Sequence, residues 1–157
     1  MMKLSLQKGE LSDAEFIHDM KVKAFMPLLN KYQDFETSPA NEPIERVITQ
    51  LEQSFTDYYI IQVDDKAVGA VRIVTRDQPV YRVSPIFVLP EHQGKGIAQN
   101  VFMLIEEIYT EAEAWELATI LEEKRNCYLY EKIGYSQTGV TNVINDKMTI
   151  VAYRKTC

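Results

Sequence analysis

A short segment with two glycines and a lysine, residues 93–98, has the composition of a phosphate-binding turn. It follows the apolar run Ile86–Leu89 and precedes apolar residues at helical spacing, so it should join a strand to a helix N-terminus. The first amides of a helix lack intrahelical partners and carry partial positive charge, and glycines let an anion approach them closely. Lys95 adds a full positive charge. On these residues alone, a phosphate site and an ordinary strand-to-helix connection are equally compatible with the sequence.

Two common phosphate-binding motifs do not fit this segment. A P-loop has the pattern G-x-x-x-x-G-K-S/T, whereas here Gly96 follows Lys95, and position 89 is leucine. A dinucleotide-binding fingerprint has the pattern G-x-G-x-x-G, whereas Gln99 stands where the third glycine is required. A phosphate site here would therefore belong to another class of protein.

The patterns along the chain predict a mixed α/β (α+β) fold in a single domain, residues 1–157. Strand and helix signals follow the order β-α-α-β-β-β-α-β-α-β-β, which gives a mostly antiparallel sheet of about 6–7 strands flanked by about four helices. Proline removes a ladder hydrogen bond, so Pro85 should interrupt the strand before the glycine segment and part it from a neighbour. Two pairs of β-rich runs should form hairpins: 58–63 with 67–74, and 140–144 with 148–153.

Two polar patterns predict where the first two helices begin. Ser12 and Glu15 have the spacing of a capping box and should open the first helix, with Phe16 on its apolar stripe. Asn41 should cap the second helix, with Pro43 near its first turn.

The composition argues against several classes of function. A net charge of −6 without a Lys/Arg cluster argues against nucleic-acid binding. No apolar stretch has the length of a membrane span, and the N-terminus lacks the apolar core of a signal peptide. Cys127 and Cys157 form no CxxC motif and have no histidine at metal-ligand spacing. We therefore expect a cytoplasmic protein without a metal, a disulfide, a nucleic-acid partner or a membrane anchor.

Two segments together resemble the GNAT superfamily of N-acetyltransferases. Residues 93–98 fit the family signature Gln/Arg-x-x-Gly-x-Gly/Ala and follow a strand of the expected type. Residues 129–135, Leu-Tyr-Glu-Lys-Ile-Gly-Tyr, are similar to the family segment L-Y-E-K-x-G-F/Y. The order of elements also matches the GNAT topology along nearly the whole chain. The resemblance implies a GNAT fold and an enzyme that transfers the acetyl group of acetyl-CoA to a primary amine, by direct attack in a ternary complex.

The resemblance also implies which residues bind the cofactor. The pyrophosphate of acetyl-CoA would lie on the backbone amides of the glycine segment and the helix start. The pantetheine arm would pair with the preceding strand like an extra strand, and a strand parted at Pro85 leaves room for it. The residues implied are Ile86, Phe87, Val88, Gln93, Gly94, Lys95, Gly96, Ile97, Ala98 and Gln99.

Tyr130 matches the family tyrosine that hydrogen-bonds the thioester sulfur and protonates the departing CoA thiolate. A phenol with a pKa of about 10 can donate to a thiolate of comparable basicity.

This chain differs from the family pattern at two positions. Glu123 stands where many members carry an asparagine that bonds the pantetheine; Asn126 could replace it, or could instead cap a helix. Ala118 stands where many members carry a general-base glutamate, so the base is unassigned.

Acceptor sites in this superfamily are built from variable loops, and loop 32–43 is the candidate here. Asp34 and Glu36 could bind a small cationic amine or take up its proton, or could be solvated loop charges. A protein amine is the alternative acceptor. The missing base also keeps open a non-catalytic CoA-binding or regulatory module, and a longer acyl group is a further alternative. Such folds frequently form homodimers.

Overall fold

The computed structural model describes residues 3–77 and 79–157, and the predicted order of strands and helices is confirmed within them. The strands are β1 (Leu4–Lys8), β2 (Thr56–Val63), β3 (Lys66–Thr75), β4 (Val80–Val88), β5 (Ala114–Ile120), β6 (Ser136–Asn145) and β7 (Met148–Thr156). The helices are α1 (Ala14–Tyr32), α2 (Ile44–Glu52), α3 (Ile97–Ile108) and α4 (Lys124–Lys132). No helix in these two ranges combines the length and the apolar character needed to cross a bilayer.

All the strands lie in one sheet, in the order β1-β2-β3-β4-β5-β7-β6. Neighbouring strands are antiparallel except β4 and β5, which are parallel. These two strands pair only at their beginnings, residues 80–82 with 114–116, and then separate. The second half of β4 therefore has β3 on one side and no strand on the other, which opens the sheet into a cleft.

The interruption predicted at Pro85 lies where β4 leaves β5. The register of β3 and β4 slips between Val71 and Ile73, opposite the cis Ser84–Pro85 peptide. Proline offers no amide hydrogen, so β4 cannot continue a full ladder through this point. The prediction of a parted strand is confirmed.

The sheet separates two apolar clusters, because consecutive strand residues point to opposite faces. On β2, Ile60 packs in the cluster beneath α1 and α2, and Ile61 packs in the cluster beneath α3 and α4. Each buried aliphatic side chain contributes about 1.5–3 kcal/mol. Both helical layers are thereby held on the sheet at either side of the cleft.

The predicted start of α1 is wrong, because Ser12 and Glu15 form no capping box. The helix begins at Ala14, and the preceding turn is closed by a hydrogen bond from the backbone amide of Glu10 to the Asp13 carboxylate at 2.8 Å. The interaction therefore lies two residues earlier than the spacing predicted. Phe16, predicted to lie on the buried stripe, is 48% exposed, since the buried face of α1 is set by neighbouring positions.

The predicted cap of α2 at Asn41 is also wrong. The helix begins at Ile44, directly after Pro43. Asn41 instead ends a short 3-10 turn, and its side-chain amide donates to the Phe35 carbonyl at 3.0 Å. The Ser38 hydroxyl opens this turn by accepting a backbone hydrogen bond. The polar residues of the loop thus stabilise the loop itself rather than the following helix.

Gly69 on β3 allows β4 to approach closely at the cleft. It pairs with Val88, and a Cβ built on it would lie 2.1 Å from the Phe87 carbonyl oxygen. We expect Gly69→Ala to lower the free energy of unfolding by more than about 2 kcal/mol, since two strands would have to separate. Urea unfolding measures this effect. Gly139→Ala is the reference for backbone strain without a clash, because its φ of 96° disfavours a side chain but a Cβ there meets no atom within 4 Å. A Gly69→Ala protein as stable as Gly139→Ala would contradict the prediction.

Candidate active site

A cavity of about 550 Å³ lies beside the second half of β4 and is also lined by α1, by the glycine segment with the start of α3, and by α4. Every residue predicted from the family resemblance to bind the cofactor lines it, with the exception of Lys95. Tyr130 lines it as well. The side chain of Lys95 is exposed to solvent instead. The structure therefore brings the end of β4, the glycine segment and α4 around one space.

The glycine segment adopts the backbone conformation for which glycine is needed. Gly94 and Gly96 have φ angles of 79° and 78°, in the left-handed region that a side chain disfavours. Gly96 directly precedes α3. Within the described chain, no backbone N–H of residues 94–99 donates a hydrogen bond to another protein group. The segment thus presents a row of free amide donors at a helix N-terminus, which is the arrangement that binds phosphate.

The edge of β4 that faces the cleft is formed by alternate residues. A Cβ on Gly69 would meet the carbonyl oxygen of Phe87, so the main chain of Phe87 points toward β3. Strand alternation then turns the main-chain groups of Ile86 and Val88 toward the cleft. The Val88 carbonyl already accepts a hydrogen bond from Gln93 Nε2 at 2.9 Å. Ile86 and the Val88 amide therefore form the free edge, and Gln93 holds the glycine segment against the strand.

Tyr130 lies on α4 in an aromatic cluster with Phe102, Tyr135 and Tyr153. Burial and, to a smaller extent, the neighbouring Cys127 raise the pKa of the Tyr130 phenol to about 12, against an opposing hydrogen bond with Thr119. The phenol therefore stays protonated throughout the neutral and mildly alkaline range. Tyr130 therefore presents a protonated phenol among the residues that line the cavity.

The start of α4 rules out one of the two sequence-based alternatives for Asn126. The helix begins at Lys124, with Glu123 as its cap residue, so the cap role considered for Asn126 is wrong. Asn126 lies in the first turn and lines the cavity. Its side chain makes no hydrogen bond to a described residue. The amide of Asn126 is therefore free to bond a molecule in the cleft.

Glu123 connects α4 to the C-terminal end of α1. Its carboxylate accepts hydrogen bonds from Lys31 Nζ at 2.7 Å and from the Tyr32 hydroxyl. Burial alone would raise the pKa of Glu123, but these two hydrogen bonds outweigh burial and hold the pKa below its usual value. Glu123 is thus an ionised carboxylate whose Oε2 accepts both hydrogen bonds, in the position where the resemblance expected an asparagine.

A second cavity, of about 280 Å³, shares five lining residues with the first: Phe25, Leu28, Ile86, Asn126 and Tyr130. Asp34 lines this second cavity and is only 7% exposed. Glu36 is exposed to solvent and lines neither cavity. Of the two loop carboxylates considered from the sequence, only Asp34 is placed next to Tyr130's cavity.

Ala118 lies on β5 and also lines the second cavity, so the strand supplies no carboxylate there. Neither Thr119 nor Ile120 beside it is a base near neutral pH. The missing general base is thus a real difference in the site. Asp34 is the one carboxylate among the described residues that line this cavity.

Arg125 was not identified from the sequence, although it lines the first cavity. Its Nη2 atom lies 2.8 Å from the position of a Cβ built on Gly94, so the guanidinium stands directly over the glycine segment. No carboxylate of the described chain forms an ion pair with it. The sequence pattern placed the start of α4 after Arg125, which hid the fact that this cation projects from the first turn of the helix.

The family model described as the Acetyltransferase (GNAT) family matches residues 24–135, well over half of the chain. No curated protein sequence matches the chain significantly. The match includes α3, its preceding glycine segment and α4. It therefore covers the residues that line the first cavity.

Three solved structures illustrate the shared fold. Spermidine N-acetyltransferase from Vibrio cholerae in complex with CoA and spermine is 19% identical, with a TM-score of 0.76 over 98% of this chain and 95% of that chain. The Microcin C7 self-immunity acetyltransferase MccE, in complex with acetyl-CoA and AMP, is 17% identical, with a TM-score of 0.75 over 99% and 93%. The PaiA N-acetyltransferase from Thermoplasma acidophilum, in complex with coenzyme A, is 12% identical, with a TM-score of 0.75 over 99% and 99%. With the family match, the divided sheet and the amide-lined cleft taken together, this chain belongs to the GNAT family of acetyltransferases.

Proposed function

We propose that this protein transfers the acetyl group of acetyl-CoA to a primary amine within a ternary complex. The observation that supports this most strongly is that two cavities meet at Tyr130. One cavity presents free amide donors, and the other presents a buried carboxylate. A cofactor thioester and an amine would thus enter from opposite sides of a single proton donor.

The first cavity would hold acetyl-CoA. The free amides of residues 94–99 and the helix dipole of α3 would bind the pyrophosphate. Main-chain groups of Ile86 and Val88 would pair with the amides of the pantetheine arm, and Asn126 would add a side-chain hydrogen bond. In this arrangement the thioester would lie near Tyr130, which also lines the cavity.

The chemical step needs a neutral amine nitrogen, which attacks the thioester carbonyl carbon. The carbon–sulfur bond then breaks, and the Tyr130 hydroxyl gives its proton to the departing thiolate. The proton lost by the nitrogen restores the phenol through solvent, so the products are an N-acetylated amine and the free thiol of CoA. Asp34 would receive the proton that an ammonium must lose before it attacks.

The direct test measures CoA thiol release and acetylated product with a panel of primary amines, beside acetyl-CoA affinity by calorimetry. Product should also be followed by mass spectrometry, since the exposed, unpaired thiol of Cys157 is open to thiol reagents and would add background. We expect thiol release to depend on the amine. Acetyl-CoA binding without amine-dependent release would instead support a non-catalytic CoA-binding module. A higher kcat/KM with propionyl-CoA would support a longer acyl group.

Arg125 should contribute to binding a phosphate of CoA. We expect Arg125→Gln to raise the Kd of acetyl-CoA by about 10- to 100-fold, since a charge-assisted hydrogen bond is lost. Dephospho-CoA, which lacks the 3′-phosphate, shows which phosphate Arg125 contacts. If Arg125 contacts the 3′-phosphate, the wild type and Arg125→Gln should bind dephospho-CoA equally. Lys124→Gln is the matched control, since Lys124 lines neither cavity. Equal affinities of the two variants for acetyl-CoA would contradict the prediction.

Three coarser properties complete the proposal. A cytoplasmic location is supported by Cys127 and Cys157, both of which are unpaired thiols. The single domain over residues 1–157 is supported by the one continuous sheet. Homodimer formation, and the absence of a metal or nucleic-acid partner, stay predictions from the sequence.

A further inference from the structure

The second cavity has apolar walls and a single formal charge. Neutral hydroxyl and amide groups account for the rest of its polar lining, and no lysine, arginine or histidine of the described chain lines it. The charge belongs to Asp34. The apolar walls come from three strands: Val83 and Ile86 on β4, Leu117 and Ile120 on β5, and Met148 and Ile150 on β7.

Asp34 is held in place by the loop around it. Its carbonyl oxygen accepts hydrogen bonds from the backbone amides of Thr37 and Ser38 at 3.1 and 2.8 Å. The neighbouring turn of the β6–β7 hairpin fixes the start of the loop, because Asn145 Nδ2 donates to the Tyr32 carbonyl at 2.9 Å. The position of the carboxylate is therefore determined before any ligand binds.

The carboxylate of Asp34 lacks a protein cation. Oδ2 accepts one hydrogen bond, from Thr37 Oγ1 at 3.3 Å, and Oδ1 accepts none from a described residue. A buried ionised carboxylate is costly unless a positive charge or several donors compensate it. An ammonium group in this cavity would supply both the charge and the donors.

We infer that the acceptor is a primary amine with one positive charge and a compact apolar body, alkyl or aryl, rather than a polyamine. This inference rests on the proposed acetyl transfer and names its second substrate. Asp34 would bind the reacting ammonium, and the apolar walls would bury the body. A second ammonium would find no counter-charge on the described walls and would lose its hydration there.

The test compares kcat/KM for acetylation of 2-phenylethylamine and hexylamine with that for putrescine and spermidine. We expect the two monoamines to exceed the diamine and the polyamine by about tenfold or more, because an unpaired buried charge carries a large penalty. A preference for putrescine or spermidine would overturn the inference and leave the proposed acetyl transfer intact. If no amine is acetylated, both the inference and the proposed function fail.

Asp34→Asn tests the carboxylate itself, and Glu36→Gln is the matched control in the same loop. Asparagine keeps an oxygen that can accept from Thr37, so the loop should hold its shape. We expect Asp34→Asn to lower kcat/KM for 2-phenylethylamine by about tenfold or more, with the Kd of acetyl-CoA unchanged. Glu36→Gln should change neither value. Equal amine kinetics in the two variants would overturn the role of Asp34 without affecting cofactor binding.

Discussion

Replacing Tyr130 with phenylalanine should lower kcat by about 10²- to 10⁴-fold, the usual contribution of a positioned general acid. The leaving thiolate would then take its proton from water. The Kd of acetyl-CoA should stay the same, because the phenol acts on the leaving group and not on the phosphates. Steady-state thiol release and calorimetry on the same preparation measure the two quantities.

Tyr135→Phe is the matched control for this substitution. Tyr135 packs in the same aromatic cluster, and its buried hydroxyl has no hydrogen-bond partner in the described structure. Removing that hydroxyl should therefore change neither kcat nor stability appreciably. If Tyr130→Phe and Tyr135→Phe have the same kcat, Tyr130 is a packing residue and not the acid.

The pH dependence gives a second readout for Tyr130. Since burial raises the pKa of Tyr130 to about 12, its phenol is protonated well below that pH and loses its proton only as the pH rises through the pKa. The wild-type kcat should thus show no decline from loss of this acid between about pH 7 and pH 10. A decline with an apparent pKa near about 8 would indicate a different proton donor.

Replacing Gly96 with glutamate should raise the Kd of acetyl-CoA by about 10²-fold or more, since a carboxylate would face the pyrophosphate over the free amides. A Cβ at Gly96 meets no atom within 4 Å, so the side chain enters the cleft without a clash. The effect should shrink at high salt, because it is largely repulsion between charges at a partly exposed site.

Gly139→Glu is the control for this charge change. Gly139 also has a positive φ, of 96°, and a Cβ on it would likewise meet open space, but it lies on β6 away from the cleft. Both variants therefore carry similar backbone strain and the same added charge. Unchanged acetyl-CoA affinity in Gly96→Glu would show that the pyrophosphate lies elsewhere.

The local features of the cofactor side could be predicted from the sequence. Gly94 and Gly96 predict the turn by their residue type, since few other residues adopt positive φ without strain. Pro85 likewise predicts the parted strand, because proline has no amide hydrogen for the strand ladder. The helix predicted from apolar spacing after the glycine segment is α3, whose three amphipathic turns give a strong pattern.

The helix starts were less predictable, for a physical reason that Ser12 and Asn41 illustrate. Both residues are good caps, and both lie within a few residues of a real helix start. Capping side chains compete with other local hydrogen bonds, and here Asp13 and the Phe35 carbonyl take part in the bonds that form. The pattern therefore identified the helices but not their first residues.

The sequence by itself determined the order of strands and helices, the glycine turn and the interrupted strand, because these features depend on neighbouring residues. The role of Tyr130 was predicted instead from the resemblance to the GNAT family. Only the tertiary structure distinguished Asp34 from Glu36, since burial depends on which elements pack over a loop. Only the tertiary structure also brought Arg125 over Gly94, which lies far from it in the sequence. Charged residues form a binding site when segments distant in the sequence line one cavity, and local sequence patterns do not show which segments do so.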